Sequence, residues 1–116
     1  MIKKYIVKLT PHAINQIKET VAYISKILLV PQTATMWVDR LEKEIKSLDT
    51  MPARFPLLDR EPWKSIGYHE MNIENFIVYY FIDEDSKTVW VTAVVYARRD
   101  QINALKEMPP TTNLNK

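Results

Sequence analysis

No cysteine occurs among the 116 residues. That excludes a thiol nucleophile, a disulfide framework and a thiolate metal site, and it fits a reducing compartment. Long apolar runs are missing too. The opening MIKKYIVKLTPHA holds only Tyr5-Ile6-Val7 between lysines, too short for a signal-peptide core, and nothing later approaches the ~20 apolar residues of a membrane span. The expectation is a cytoplasmic protein with no membrane partner. Charge of one sign is also scarce. Sixteen Lys/Arg stand against 14 Asp/Glu, and a net charge of +2 does not by itself mark a nucleic-acid binder. Neither a metal nor a cofactor is expected.

What is present fits one domain, expected over residues 1–108, with a polar tail over 109–116 (PPTTNLNK). A chain of this size buries roughly two-thirds of the surface it exposes unfolded, enough for a core without staples. The charges are unevenly spread. Residues 1–49 carry eight basic and five acidic side chains, residues 50–85 three and seven, and residues 86–116 five and two. An anion site is therefore expected to draw on the last strand and its flanks.

The pattern predicts a strand over 3–9, with Tyr5, Val7 and Leu9 on one face. Thr10-Pro11 then reads as the cap and first position of a helix. Ile14, Ile17, Val21, Ile24 and Ile27 follow at spacings of three and four, one apolar stripe. Pro31 interrupts it, and a second helix to about Leu48 carries Ala34, Trp37, Val38, Leu41, Ile45 and Leu48 in register, making an antiparallel helical hairpin. Residues 49–65, with three prolines, read as a loop. Strands are predicted over 66–74, 76–82 and 88–97, and a short helix over 101–107. The expected fold is α+β: an antiparallel sheet of about four strands in the order β-α-α-β-β-β, with the hairpin on one face and the other face partly open or partly covered by the C-terminal segment. Alternation on the last strand places Val89, Val91, Ala93, Val95 and Ala97 under the helices, and Trp90, Thr92, Val94, Tyr96 and Arg98 on the opposite side.

Three stretches, IKSLDTMPARFP, IGYHEMNIENFIVYYFIDED and VWVTAVVYARRD, occur in an order and spacing that resembles the RelE/ParE superfamily of toxins from type II toxin–antitoxin modules, a group that includes plasmid stabilisation proteins. Where many such toxins carry arginine after the glycine-aromatic pair, this chain has His69. Where ribonuclease members carry a second arginine it has Ile77, and where a histidine often precedes the arginine pair it has Tyr96.

The resemblance implies a toxin held by a cognate antitoxin in a heteromeric complex. It also implies translation inhibition by metal-independent cleavage of mRNA on the ribosome, an endoribonuclease activity. The alternative it implies is a non-catalytic, ParE-like toxin that binds DNA gyrase, or an inactive member. Cleavage without a metal needs a proton acceptor, a proton donor and fixed positive charge at the phosphate. Arg98 is the candidate for the charge, His69 for proton exchange near neutral pH, and Tyr96 for a hydrogen bond or a stacked base. Arg99, Arg54, Arg60 and Lys64 are the candidate contacts to RNA or another target. Each has a plainer reading: the arginine pair as a solvated strand end, His69 as an edge-strand residue, Tyr96 as a core-edge aromatic and the loop cations as solubilising charge. His12 reads as a helix-start residue and the three tryptophans as packing.

Overall fold

The computed structural model of the chain describes residues 4–27 and 31–96. Thr10 and Pro11 open the first helix for the reason their chemistry gives. Thr10 is extended and its Oγ1 accepts from the Ala13 N–H at 3.2 Å, while Pro11 fills the first turn, where no amide is needed. Helix α1 (Pro11–Ala22) passes into a π-helical turn over Tyr23–Ile27, and α2 (Pro31–Lys46) ends in a 3₁₀ turn over Ser47–Asp49. Strands β1 (Ile6–Leu9), β2 (His69–Ile73), β3 (Phe76–Asp83) and β4 (Thr88–Tyr96) form one sheet in the order β1-β4-β3-β2. The proline-rich stretch expected as loop holds a 3₁₀ turn, Pro52–Arg54, and one helical turn, α3 (Trp63–Ile66). The helix expected over 101–107, the polar tail and both Arg98 and Arg99 lie outside the described residues.

The sheet is mixed rather than antiparallel throughout. β2, β3 and β4 form an antiparallel meander, but β1 pairs with β4 in parallel, Ile6 opposite Thr88 and Leu9 opposite Val91. The course of α1 explains this. It does not fold back over β1 but continues along β4: the Thr10 N–H donates to the Val91 carbonyl, Gln16 Oε1 accepts from the Val94 N–H, and Tyr23 meets Tyr96. α2 then runs back, and the Tyr5 N–H donates to the Asp49 carbonyl. The hairpin thus returns the chain to where β1 began, so the meander can end on a strand that runs the way β1 runs.

Under the helices lies a core of Ala13, Ile24, Leu41, Ile45, Leu48, Met71, Ile73, Phe76, Val78, Tyr80, Val89, Val91, Val94 and Tyr96. The stripe expected on α1 is rotated slightly. Ala13, Thr20 and Ile24 are its buried residues, and Ile14 sits on the exposed flank. The opposite face of the sheet is not left open. The segment between α2 and β2 crosses beneath it, and Leu58, Trp63, Ile66 and Tyr68 pack on Ile77, Tyr79, Phe81, Ala93 and Val95.

That second cluster corrects the face assignment on β4. Tyr79 pairs with Ala93 but Tyr80 pairs with Val91, so Thr92 is a β-bulge, the extra residue between these two pairs, and its Oγ1 donates to the Tyr79 carbonyl at 3.5 Å. The extra residue reverses the alternation beyond it. Val89 and Val91 face the helices as expected, whereas Ala93 and Val95 face away, and Val94 and Tyr96 turn in beneath α1 and α2. The bulge sits where β1 ends, and the displaced Thr92 carbonyl accepts from Thr10 Oγ1 at 3.4 Å.

Candidate functional site

The described candidate residues do not converge. His69 is the first residue of β2 and stands opposite Tyr80 on β3. Its ring stacks on the Tyr80 ring with centroids 5.2 Å apart and planes within 13°. Nδ1 lies 2.7 Å from the Phe55 carbonyl oxygen. A carbonyl only accepts, so Nδ1 carries the proton and the lone pair of the neutral ring is on Nε2. Tyr80 holds the same loop, its hydroxyl donating to the Pro52 carbonyl at 2.5 Å. Burial pushes the Tyr80 phenol up to about 12, partly opposed by the Arg54 guanidinium.

Tyr96, the last residue of β4, lies level with the other end of β2. It pairs with Phe76, which pairs with Ile73. His69 and Ile73 are four strand steps apart, roughly 13 Å, and β4 lies two strands over, about 10 Å. Tyr96 is 1% exposed, wedged among Tyr23, Trp37 and Phe76 with ring centroids about 6 Å away on each side. Its hydroxyl has no hydrogen-bond partner among the described residues. A phosphate held at His69 would not reach it.

The three loop cations are also dispersed. Arg54 acts as a cap. One guanidinium nitrogen, Nη1, approaches the carbonyls of Thr50, Met51 and Ser47 at 2.6, 3.1 and 3.3 Å, and Nη2 donates to Ser47 Oγ at 2.8 Å. Ser47 and Thr50 lie in and just after the 3₁₀ turn that ends α2, so the cation is tied to the end of that helix. Arg60 belongs to the other side of the sheet, near Tyr79. That phenol is raised to about 12 by burial and by the Glu70 carboxylate, with Arg60 working against both. Lys64, on α3, stands 3.9 Å from Asp59 in a loose, exposed pair. Glu70 and His69 project to opposite faces, so they make no acid–base pair. Ile77, at the position where the resemblance would place a second arginine, is buried in the second cluster.

One feature of this region was missed in the sequence. The loop from Thr50 to Leu57 is fastened by Arg54, Tyr80 and His69, yet Met51 and Leu57 remain 66% and 48% exposed. Met51 also has a left-handed backbone, φ 49° and ψ 55°. The only signal in the chain is a methionine followed by proline, which does not announce a positive φ.

A family model described as the ParE toxin of type II toxin-antitoxin systems, parDE, matches residues 7–101. The chain belongs to the ParE toxin family. No curated protein matches it. Among solved structures, the chromosomal ParDE toxin–antitoxin system of P. aeruginosa is similar at a TM-score of 0.65 and 15% identity, covering 81% of this chain and 97% of that one. The toxin–antitoxin complex RelBE2 of Mycobacterium tuberculosis is similar at a TM-score of 0.56 and 22% identity, covering 80% and 91%. At these identities the likeness is one of fold. This ParE-family toxin thus carries the mixed sheet and helical hairpin over nearly all of the matched span, and none of its described helices is long and apolar enough to cross a membrane.

Proposed function

We propose that this toxin acts by binding a protein target, DNA gyrase, without chemistry of its own, and that a cognate antitoxin neutralises it in a heteromeric complex. The separation of His69 from the buried Tyr96 carries the reading. Acid, base and phosphate clamp must lie within hydrogen-bond reach of one reacting group, whereas His69 is at one end of β2 and Tyr96 lies on β4, level with the other end. The family match and Arg54's engagement with its own backbone support the same conclusion. Arg98 and Arg99 enter this reading on sequence grounds, as cations offered to the target after the last strand, and Arg60 and Lys64 as flanking charge.

Two assays with purified toxin test the proposal. DNA gyrase should lose supercoiling activity as toxin is added and recover it when the protein encoded by the adjacent reading frame is supplied. In a translation extract the messenger should stay intact. Ribosome-dependent cleavage of the messenger that disappears with His69→Ala would overturn the binding mechanism in favour of a ribonuclease.

A further inference from the structure

The turn end of the β3–β4 hairpin is hollow on the face away from the helices. Phe81 and Trp90 are cross-strand partners there, and Asp83 pairs with Thr88 two residues further on, so both rings and the Asp83 side chain share that face. With Ile66 of α3, Ile82, Glu84 and Asp85 they line one cavity of about 380 Å³. Ligand sites run roughly from 300 to 1,000 Å³, so this one suits a single inserted side chain rather than a helix.

Its charges are unequally used. Glu84 is occupied, accepting from the Tyr5 hydroxyl and from Lys87 Nζ, both at 3.0 Å. Asp83 and Asp85 form no ion pair among the described residues. Asp83 is nevertheless held in place, its Oδ1 accepting from the N–H groups of Asp85 and Ser86 at 3.1 and 3.4 Å. The aromatic wall already attracts a cation of this chain. Lys8, opposite Trp90 on β1, sets Nζ 5.6 Å from the centroid of the Trp90 ring. The two unpaired carboxylates outweigh that ammonium, so the cavity stays complementary to a further positive charge.

The lining also selects among cations. No three acidic or histidine side chains among the described residues converge as a metal site requires. An ammonium group is compact and strongly hydrated. A guanidinium is planar and weakly hydrated, so its face can lie on an indole while its N–H fork meets carboxylates.

We infer that this cavity receives an arginine side chain of the toxin's protein target, its guanidinium against Trp90 and Phe81 and its N–H groups on Asp83 and Asp85. This rests on the reading of the toxin as a protein binder and gives the contact its chemistry. An exposed ion pair alone contributes little, but the rings exclude water from one side of this one and strengthen it. Arginines seated in this way are frequent anchors of protein interfaces.

Asp83→Asn combined with Asp85→Asn removes both charges with little change of shape, and asparagine at 83 keeps the oxygen that the two N–H groups need. The probe is N-acetyl-arginine amide, titrated into purified toxin and followed by the indole N–H resonance of Trp90. Saturable binding is expected, weakened about tenfold or more in the double variant at an unchanged thermal midpoint, and absent for the neutral isostere N-acetyl-citrulline amide. The double variant should also inhibit gyrase about tenfold less, relieve growth arrest at matched soluble levels and retain antitoxin affinity. Should it fold poorly, Asp85→Asn alone, at an exposed residue, takes its place. A probe that leaves the indole resonance unmoved, or binds the double variant equally well, overturns the site. Full growth arrest by the double variant overturns the docking role, and so does arrest combined with loss of antitoxin binding, since the arginine would then be the antitoxin's. If the unmodified toxin leaves gyrase untouched while the double variant loses both probe binding and arrest, the gyrase reading fails and the arginine site stands.

Discussion

The two ends of β2 each bury a tyrosine beneath the helical layer, and they use it in opposite ways. At the His69 end, the Tyr80 hydroxyl donates to the Pro52 carbonyl and its ring supports the imidazole, so the residue anchors a loop. At the Ile73 end, Tyr96 fills space between Tyr23, Trp37 and Phe76, and its hydroxyl bonds to no described residue. Both side chains are essentially inaccessible. The difference teaches that residue type and burial do not assign a role. The polar tip does, through what it can reach.

That contrast can be broken experimentally. Emptying the Tyr96 site should have the largest effect: Tyr96→Ala removes a whole ring from a close-packed cluster and should cost about 3–5 kcal/mol in a urea unfolding experiment, with Leu41→Ala in the same layer at about 2–5 kcal/mol. Tyr80→Phe should cost less, about 1–3 kcal/mol, because a buried carbonyl loses its donor while the ring remains. A cost below about 0.5 kcal/mol would show that the Pro52 contact contributes nothing.

The alkaline limb sharpens the same point. Tyr79 and Tyr80 are both held near 12 in the folded chain against 10 unfolded. Above pH 10 the unfolded chain releases phenolic protons that the folded chain keeps, so stability present below pH 10 is lost as pH rises toward 12. Tyr80→Phe should flatten that decline in a pH series of urea midpoints, and an unchanged slope would mean that Tyr80 titrates freely. The smallest effect is expected at Tyr96→Phe, within about 0.5 kcal/mol of zero, since no described partner is lost. If it costs as much as Tyr80→Phe, the two ends are not different in kind.

Much of the fold was legible in the sequence. Thr10-Pro11 announced α1, the Trp37–Leu41–Ile45–Leu48 spacing announced α2, and the period-two runs located β3 and β4 nearly to the residue. What stayed hidden was set by contacts distant in sequence. The parallel pairing of β1 depends on α1 continuing along β4, which no local pattern encodes. The bulge at Thr92 is invisible because threonine is an ordinary strand residue, and its position is set by where β1 ends. That single residue moved Tyr96 from the far side of the sheet into the core, beneath α1 and α2. Arg54 read as a free cation because the carbonyls it binds are supplied by the end of a helix, and backbone acceptors leave no mark in side-chain chemistry.

The pairing of β1 with β4 has a consequence for how the toxin comes into being. Ile6 and Val7 meet Thr88 and Val89, so almost the whole chain must be made before the first strand has a neighbour. Contacts this distant in sequence close late and slowly. During synthesis, α1 and α2 emerge with their apolar stripes facing a sheet that does not yet exist, because β2, β3 and β4 all follow them. A nascent toxin is therefore an aggregation-prone helical pair rather than a poison. Assembly becomes possible only when the residues of β4 leave the ribosome. Chains truncated before Thr88 should then be harmless and protease-sensitive, whatever the toxin's target.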